Sequence, residues 1–484
     1  MEKSCIRKSA LFTDFYELTM AQGFWKHKMN QPAVFDMFFR RQAFKAGFSV
    51  FSGIKPLLET LSEFCFSKED LAYLSSLDFF DPAFLDYLED FHFQGDLYAM
   101  DEGSIIFPNE PIIRVHANMI EAQIIEGLVL NCINFESLIA TKAARIWHSS
   151  GYGNIMEFGL RRAQGSDGAM SASRAAYIGG ASSTSNTLAG KRYGIPVKGT
   201  MAHSWVMSFP SEREAFETYA ELFPNNSIFL IDTYETLGSG IENAIFVGKK
   251  LKEKGYNFGV RLDSGDIHYL SVEVRKRLDA AGLRDAFITV SNELSEEIIE
   301  NLLLQKAPID SWGVGTNMVT GGNESSFTGV YKLSAHFDTE GKMHSAMKFS
   351  DNPEKTTNPG IKNVWRIYDQ DGMAKADVLA LIDETISTEK SQSFYHPSID
   401  YRQFNFKPAK VELLLKQKIK NGKLLDTEKT NTAELQESRE TMIRQLNSFD
   451  NSYKRLLNPH VYKVSISEGL KDLKLKHIQN RLGH

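Results

Sequence analysis

Cysteine is scarce in this chain of 484 residues. The three cysteines, Cys5, Cys65 and Cys132, are far apart and form no pair with the spacing of a metal site or a redox motif. Sparse, unpaired cysteines are typical of proteins in a reducing compartment. The sequence therefore argues against a disulfide framework, and we expect a cytoplasmic location.

The sequence also lacks long apolar runs and an excess of positive charge. No run reaches the roughly 18 apolar residues of a membrane-spanning helix, and the first residues, MEKSCIRKSALFTDFYEL, lack the apolar core of a signal peptide. The net charge of −6 argues against a surface that coats nucleic acid. We expect a soluble globular protein of two domains, with no membrane or nucleic-acid partner.

Neither common nucleotide-binding loop is present, since GxxxxGK[ST] and GxGxxG are both missing from the sequence. What is present is a stretch, residues 157–205, that gathers groups suited to an anionic ligand. It contains the pair Arg161 and Arg162, two loops rich in glycine, serine and threonine, and one histidine, His203. Each feature alone is also typical of an ordinary loop or a structural histidine. Together they place guanidinium and N–H donors beside a titratable imidazole, which favours an anion site.

Four short apolar runs follow His203, and a polar cluster comes directly after each one. The runs end at residues 231, 262, 290 and 314, which gives steps of 31, 28 and 24 residues. This spacing suits a strand, a helix and two loops, so it predicts repeated β/α units around a parallel sheet. Ligands bind at the carboxyl ends of such strands. That edge carries Asp232, Arg261, Asp263, Asp266, Ser291, Asn292, Gly315 and Thr316.

Polar residues at strand ends are also common helix N-caps. For Ser291 and Asn292 a capping role explains the residues as well as a binding role does. RLDSGD, at 261–266, is more specific, because two carboxylates flank Ser-Gly and an arginine precedes them. This combination suits ribose hydroxyls or Mg²⁺ beside a phosphate.

Blocks in order along almost the whole chain resemble the nicotinate phosphoribosyltransferase family. They are LFTDFYELTMAQG (11–23), INFESLIATKAAR (133–145), EFGLRRAQG to GTMAHSW (157–205), LIDTYET, RLDSGD, GVGT, PGIK with VWR (359–366) and LLNPH (456–460). The resemblance implies that nicotinate and phosphoribosyl pyrophosphate form nicotinate mononucleotide and pyrophosphate, in NAD salvage. It further implies coupling to the hydrolysis of ATP to ADP and phosphate.

The resemblance also implies the fold. We expect an α/β protein with an irregular (β/α)-barrel domain at 149–330. A discontinuous, sandwich-like α/β domain would combine residues 1–148 and 331–484. In those outer segments the sequence patterns predict a strand at 33–39, one or two helices over 118–148, hairpins turning at 339–342 and at Asn421-Gly422, and a charged helix over 430–457.

For the pyridine ring, resemblance to the type II phosphoribosyltransferases places Phe158 on one face and Tyr16 on the other. Tyr16 would come from a second subunit of a homodimer. Arg161 and Arg261 would face the carboxylate and phosphate side, with Ser204 beside the nicotinate. A flat anion needs such aromatic and cationic partners, although a core position is the usual alternative for a phenylalanine.

For the phosphoribosyl group, the resemblance assigns Asp232 and Asp263 to ribose hydroxyls and metal, with Asp263 as a Mg²⁺ ligand. The 5′-phosphate would bind Gly199, Thr200, Gly315 and Thr316. Basic residues of the neighbouring subunit would approach the pyrophosphate, and each of them is otherwise an ordinary surface charge: Arg40, Lys332 and Lys348.

His203 has the most specific expected role. In the family that the chain resembles, the histidine of the GTxAHS motif is phosphorylated by ATP, and Ser204 and Asp232 are the expected supporting neighbours. An imidazole suits this chemistry, because it is nucleophilic near neutral pH and its phosphoramidate is easily cleaved.

Three alternatives differ from this interpretation. A (β/α)-barrel lyase or aldolase would need a Schiff-base lysine at a strand end, and the four strand ends show none. A catalytically silent nucleotide-binding homologue is disfavoured by the intact set of His203, Arg161, Asp232, Arg261 and Asp263. A nicotinamide phosphoribosyltransferase is the nearest alternative, and its relatives carry a carboxylate near the position of Ser185.

Overall fold

A computed structural model describes residues 8–350, 355–399, 401–425 and 430–482. The chain divides into two compact units. The first comprises Met1–Leu138 and Ser326–His484, and the second comprises Ile139–Ser325. Both contain helices and sheets, as expected of a mixed α/β protein. Cys65 and Cys132 are free thiols, and Cys5 lies outside the described residues.

The N-terminal segment of the first unit contributes strands and short helices before one long helix. Its strand at 33–39, predicted from the sequence, is confirmed with seven consecutive buried residues. Residues 118–148 form two helices that are separated by one residue. The elements are α1 (Phe15–Lys26), β1 (Pro32–Phe39), β2 (Ser49–Val50), α2 (Ile54–Leu61), α3 (Lys68–Ser76), α4 (Pro82–Glu89), β3 (Asp96–Ala99), β4 (Ile105–Ile106), β5 (Ile113–Asn118), α5 (Met119–Ile124) and α6 (Glu126–Ser149).

The second unit is built on a parallel sheet of six strands. The four strands predicted from the apolar runs are confirmed, and two more strands precede them in the chain. The elements are β6 (Asn154–Glu157), α7 (Gly165–Ile178), β7 (Ser183–Thr184), α8 (Thr187–Tyr193), α9 (His203–Met207), α10 (Glu212–Leu222), β8 (Ser227–Leu230), α11 (Ile241–Glu253), β9 (Phe258–Leu262), α12 (Ile267–Ala280), β10 (Phe287–Asn292), α13 (Glu296–Leu304), β11 (Ser311–Val314) and α14 (Thr316–Val319).

The order of strands in this sheet is β7-β6-β11-β10-β9-β8, and every neighbouring pair is parallel. The carboxyl ends of all six strands therefore share one edge. Within the described residues, β7 and β8 each pair with one neighbouring strand, so the hydrogen-bonded ladder is open. A closed barrel stays a prediction.

The structure decides which polar residues at that edge cap a helix. Ser291 and Asn292 belong to β10, so the capping role considered for them is wrong, and the N-cap of α13 is Ser295. Asp266 does cap α12, because its Oδ1 accepts the N–H of Tyr269 at 3.0 Å. Asp232 and Asp263 cap no helix in the described chain, which leaves their carboxylates available to a site.

The C-terminal segment returns to the first unit and adds mostly strands. Its elements are β12 (Gly329–Phe337), β13 (Met343–Ser345), β14 (Lys362–Tyr368), β15 (Ala374–Leu381), β16 (Gln392–Tyr395), β17 (Gln403–Phe406), β18 (Lys410–Leu413), β19 (Lys416–Lys420), β20 (Lys423–Leu424), α15 (Asn431–Asn447), β21 (Lys463–Ile466) and α16 (Glu468–Leu482). Both predicted hairpins are confirmed, since β12 pairs with β13 and β19 with β20. The predicted helix over 430–457 ends at Asn447, because the Asp450 carboxylate accepts the N–H of Ser452 and begins a separate turn.

In the first unit, a sheet of order β13-β12-β1-β5-β3-β19-β20 continues from the N-terminal strands into the C-terminal strands, and a second has the order β17-β16-β21-β15-β14-β18. Sequence-distant segments are therefore joined by hydrogen-bonded ladders.

The buried pair of Arg366 and Asp377 lies in the second sheet, with Nη2 and Oδ2 2.6 Å apart. The helical stretch Met119–Ser149 is long and apolar enough to cross a membrane. However, 72% of its most apolar part is buried inside the protein, which is typical of a core helix.

Candidate functional site

The second unit contains a cavity of about 360 Å³ at the carboxyl edge of its parallel sheet. Loops after β6, β9, β10 and β11 contribute to it, together with the loop that precedes α9. Most predicted site residues of this unit meet there. The lining is Phe158, Arg161, Arg162, Ser185, Gly199, Thr200, Met201, Ala202, His203, Arg261, Asp263, Ser291, Asn292, Glu293, Gly313, Gly315 and Thr316.

One wall of the cavity is the ring of Phe158, directly after β6. Its backbone N–H donates to the carbonyl of Val314 at 2.8 Å, so the ladder between β6 and β11 holds the residue. Gly313 leaves the space that the ring occupies, because a Cβ there would lie 2.7 Å from the Cδ2 and Cε2 atoms of Phe158. The aromatic face therefore depends on a glycine in the neighbouring strand.

Arg261 brings a positive charge into the cavity from β9. Its Nη1 donates to Thr200 Oγ1, while its Nε is buried with no hydrogen-bond partner among the described residues. Burial lowers the pKa of Arg261, the nearby Asp263 and Asp232 oppose that shift, and Arg161 adds to it. A buried guanidinium with an unused donor indicates a site for an acceptor, such as a carboxylate or phosphate oxygen.

His203 begins helix α9 and faces a carboxylate. Its Nε2 lies 3.3 Å from Oδ1 of Asp232. The other oxygen, Oδ2, accepts the N–H of Asp263 at 3.1 Å and the hydroxyl of Ser264 at 2.5 Å. Asp232 therefore holds a fixed orientation that can orient the imidazole of His203 in turn.

Asp263 lies at the end of β9, and its Oδ1 accepts a hydrogen bond from Ser291. Among the described residues, no group of three or more histidine, cysteine, aspartate or glutamate side chains is arranged to hold a metal ion. Mg²⁺ does not require such a cage, since it commonly binds one or two carboxylates together with substrate phosphates. The Oδ2 of Asp263 accepts no hydrogen bond from the described residues, so it fits that limited role.

The residues predicted for the 5′-phosphate approach the cavity from two loops. Gly199 and Thr200 precede α9, while Gly315 and Thr316 follow β11. A Cβ added at Gly199 would have no heavy atom within 4 Å, so the backbone is open on that side. Backbone N–H groups and hydroxyls in such loops suit phosphate oxygens.

Ser204 does not line the cavity and is exposed on α9. The other predicted residues lie in the first unit. Tyr16, on α1, is 50% exposed. The remaining three are placed as follows: Arg40 lines a separate cavity of about 350 Å³, Lys332 lies 3.5 Å from the Glu126 carboxylate, and the Lys348 N–H donates to Thr357 Oγ1 at 2.9 Å. The roles assigned to these residues stay predictions.

Sequence reasoning missed several lining residues. Met201, Ala202, Glu293 and Gly313 were not singled out, although each lies within two residues of one that was. One sign of the site is found in the backbone conformation and not in the sequence, because Asn292 has a φ of 120°. Such a conformation is costly for a residue with a side chain, and strained residues of this kind cluster at functional sites.

Three family models match the chain in order. The N-terminal domain of nicotinate phosphoribosyltransferase matches residues 11–134, the family model of that enzyme matches 154–378, and its C-terminal domain matches 361–474. The matched ranges cover most of both compact units. They also include the whole of the cavity lining.

Individual relatives agree with the family models. The chain is 41% identical over 474 residues to nicotinate phosphoribosyltransferase from Bacillus subtilis, covering 97% of this chain and 95% of the relative. It is 33% identical over 522 residues to the enzyme of that name from Homo sapiens, covering 96% and 95%.

Solved structures give the same result for the fold. The crystal structure of human nicotinic acid phosphoribosyltransferase matches with a TM-score of 0.83 and 31% identity, covering 96% of this chain and 99% of that one. Nicotinate-nucleotide pyrophosphorylase from Pyrococcus furiosus shares the fold, with a TM-score of 0.71 at 21% identity. The family models, the full-length relatives and the human structure agree, so the chain belongs to the nicotinate phosphoribosyltransferase family.

Proposed function

We propose that this protein transfers a phosphoribosyl group from phosphoribosyl pyrophosphate to nicotinate. The products are nicotinate mononucleotide and pyrophosphate, so the protein serves NAD salvage as a pentosyltransferase. The observation that carries the proposal is Arg261, whose buried Nε has no partner in the described chain and which shares a cavity with Phe158. The pair offers a cation for a carboxylate and an apolar face for a pyridine ring.

In the proposed reaction, the pyridine nitrogen forms a bond to C1 of the ribose while the bond from C1 to the pyrophosphate oxygen breaks. Positive charge develops on the ribose, so the protein mainly positions the two reactants and stabilises charge. Phe158 holds the ring, and Arg161 and Arg261 hold anionic oxygens. The ribose hydroxyls face Asp263, and the glycine and threonine residues of the two loops bind the 5′-phosphate. Asp232, which was also predicted for the ribose, is not part of the cavity lining and its side chain is 1% exposed, so it acts through His203.

ATP coupling uses His203 in this proposal. An imidazole nitrogen accepts the terminal phosphoryl group of ATP and releases ADP, and water later cleaves the phosphohistidine to phosphate. The phosphate does not enter the nucleotide product, so the coupling is energetic, as in a C–N ligase. The contact with Asp232 supports the proposal, because a carboxylate on one imidazole nitrogen makes the other more nucleophilic.

Mg²⁺ is the proposed metal, with Asp263 as its protein ligand and substrate oxygens completing the coordination. When bound, it would neutralise phosphate charge. Both carboxylate oxygens of Asp232 already have hydrogen-bond partners, one in His203 and the other in the β9 loop. Asp263 is therefore better placed than Asp232 to bind the metal.

A homodimer with shared active sites is also proposed, with Tyr16, Arg40, Lys332 and Lys348 supplied by a neighbouring subunit. The surface around Tyr16 supports an interface, because the half-exposed rings of Phe15 and Phe79 lie 5.3 Å apart beside it. Clustered exposed aromatic rings are typical of protein–protein interfaces. We infer a cytoplasmic location from the cysteine usage described above.

Nicotinamide is the competing substrate. Ser185 lines the cavity with a hydroxyl, at the position where relatives specific for the amide are expected to carry a carboxylate. A catalytically silent homologue is less favoured, because His203, Arg261 and Asp263 line one cavity and Asp232 contacts His203.

The experiment that tests the function uses purified protein and labelled nicotinate with phosphoribosyl pyrophosphate, with and without ATP. We expect labelled nicotinate mononucleotide and stoichiometric pyrophosphate, at a higher rate with ATP. Labelled nicotinamide in a parallel reaction tests the competing substrate. Product from neither base would support the silent homologue.

A further inference from the structure

We propose that Glu157 is a positioning residue that holds both walls of the pyridine end of the cavity. Glu157 is the last residue of β6 and directly precedes Phe158, but it does not line the cavity. Its side chain is buried, with 1% exposure. The inference rests on the proposed function, since it assigns the ring of nicotinate to this end of the cavity.

The Glu157 carboxylate is surrounded by donors. Its Oε1 accepts the backbone N–H of Gly159, directly after Phe158. Its Oε2 accepts the hydroxyls of Ser173, on α7, at 2.9 Å and of Thr184, on β7, at 2.5 Å. Burying a charge is costly unless hydrogen bonds satisfy it, so this carboxylate depends on these donors as much as they depend on it.

A second layer fixes the hydroxyls. Asn186 donates from its backbone N to Thr184 Oγ1 at 2.9 Å and from Nδ2 to Ser173 Oγ at 3.2 Å. Its Oδ1 caps α8 by accepting the N–H of Ala189 at 3.2 Å. Because Thr184 Oγ1 accepts from Asn186, its own proton is left to point at Glu157 Oε2 at 2.5 Å. The Ser173 proton has two acceptors, Glu157 Oε2 at 2.9 Å and the Ala169 carbonyl at 3.0 Å. The branch of the network through Thr184 therefore ends on the Glu157 carboxylate.

This network reaches two cavity walls. Gly159 belongs to the turn that carries Phe158, and the main-chain carbonyl of Glu157 accepts the N–H of Ser185 at 2.9 Å. Phe158 and Ser185 both line the cavity. The position of a pyridine ring stacked on Phe158 depends on both walls, and a displacement of about 1 Å can cost on the order of a hundredfold in rate. Glu157 thus acts on the ring without contacting it.

An amide cannot replace the carboxylate. In either orientation of the Glu157→Gln amide, the NH₂ group would face a donor. In one orientation it meets the N–H of Gly159, and in the other it meets the Thr184 hydroxyl, whose second described acceptor, Ser173 Oγ, is 3.4 Å away.

The variant keeps the size and shape of the side chain. We expect the Phe158 and Ser185 walls to shift. The phosphate loop at Gly199 and Thr200 should stay in place, because the main-chain hydrogen bonds of Thr184 with Pro196 and Lys198 do not involve the Glu157 side chain.

The test measures KM for nicotinate and for phosphoribosyl pyrophosphate separately. We expect Glu157→Gln and Thr184→Val to raise KM for nicotinate by about tenfold or more, with KM for phosphoribosyl pyrophosphate changed less than about twofold. Thr184→Ser restores the hydroxyl and is expected to restore the nicotinate KM. ATP hydrolysis without nicotinate should stay near the wild-type rate, because His203 lies outside the network.

A matched control separates positioning from general stability. Thr289, on β10 of the same sheet, is fully buried, and its hydroxyl lies 2.7 Å from that of Ser311. Thr289→Val should lower the melting temperature without changing the ratio of the two KM values.

The outcomes separate this inference from the proposed function. Equal losses for both substrates, unchanged nicotinate KM in Thr184→Val, or no rescue by Thr184→Ser would overturn the positioning role while leaving the reaction intact. A wild-type protein that makes no nucleotide from nicotinate would overturn the proposed function, and this inference with it.

Discussion

The imidazole Nε2 of His203 lies 3.3 Å from Oδ1 of Asp232, and the two side chains differ sharply in exposure. The histidine side chain is 41% exposed and that of the aspartate is 1% exposed. A buried carboxylate thus holds one edge of the imidazole while the rest of the ring faces the cavity. This arrangement suits a group that accepts a phosphoryl group from a bound nucleotide and then returns to its starting position.

We predict that ATP labels His203. Incubation with γ-labelled ATP should give protein-bound label that is stable in base and labile in acid, because a phosphohistidine behaves in this way and a phosphoserine does not. His203→Ala should lose ATP hydrolysis and ATP stimulation but keep slow transfer, since the ring and ribose contacts remain. Ser204→Ala is the neighbouring control and should retain the label. Label that maps to Ser204 would contradict the prediction.

We also predict that the protein selects nicotinate over nicotinamide. A buried carboxylate paired with arginine is worth about 2–5 kcal/mol over a mismatched partner, which corresponds to roughly 30-fold to a few thousand-fold in kcat/KM. Arg261→Met should remove most of this preference, because it keeps the apolar stem and removes the cation. Arg284→Met, at an exposed arginine of the same unit, is the control. Similar kcat/KM values for acid and amide in the wild type would be inconsistent with the assignment.

Mixed dimers test whether the Tyr16 of one subunit serves the active site of the other. Tyr16→Ala and His203→Ala subunits should each be nearly inactive in the ATP-stimulated reaction. Mixing and re-forming the dimers should restore part of the activity, because one hybrid site contains both intact residues. Native mass spectrometry of differently tagged subunits verifies that mixed dimers form. No recovery in verified mixed dimers would mean that one subunit supplies both residues.

The backbone at Asn292 predicts an unusual gain of stability. Its φ of 120° suits glycine, so Asn292→Gly should raise the free energy of unfolding by about 1 kcal/mol. The same change at Asn301, inside α13, should lower it by roughly 0.5–1 kcal/mol. Urea denaturation measures both. If the two glycine variants are destabilised alike, the strain at Asn292 is not real.

The buried carboxyl group of Glu17 should make the free energy of unfolding depend on pH. It is fully buried on α1, and burial, with Glu126 adding to it, raises its pKa to about 7, while Tyr16 and Gln123 oppose the shift. The folded protein therefore binds this proton more tightly than the unfolded chain. Glu17 has no destabilising effect at pH 4 and an increasing one as the pH rises to about 7. Above that pH the cost is constant.

Glu17→Gln removes this titration. We expect the variant to be more stable than the wild type at pH 8, by about 1–3 kcal/mol, and to differ little at pH 4.5. Thermal unfolding at the two pH values measures the difference. Thr60→Val, at a buried residue of the same unit that carries no titratable group, should change the stability equally at the two pH values.

Local patterns were enough to predict four of the six parallel strands of the second unit. The four apolar runs predicted β8 to β11 and their parallel arrangement, because buried parallel strands need continuous apolar sequence and a helix needs a nearly constant length to cross back. The carboxyl edge followed from that arrangement alone. It placed Arg261, Asp263, Gly315 and Thr316 together, and the cavity contains all four.

Other features depend on contacts that no local pattern records. The sequence around Ser291 and Asn292 is equally compatible with helix caps and with binding residues. The extent of strand β10, which includes both residues, rules out the capping role. β6 and β7 are short and have no strong apolar run, yet β6 lies inside the sheet because β11 and β7 pair with it on either side. The positions of β6 and β7 are set by pairing with neighbouring strands, because contacts with those neighbours stabilise a short strand more than the residues of the strand itself do.

The sequence by itself determined the family, the parallel sheet and most of the residues at its carboxyl edge, because these depend on motifs and periodicities that are contiguous in the chain. Only the tertiary structure decided that Asp263 and Ser264 hold the Asp232 carboxylate, that the Arg261 Nε has no hydrogen-bond partner among the described residues, and that Glu157 collects hydrogen bonds from three segments. The physical reason is that hydrogen bonds and burial join residues tens of positions apart, and their directions are set only when the strands and helices have packed.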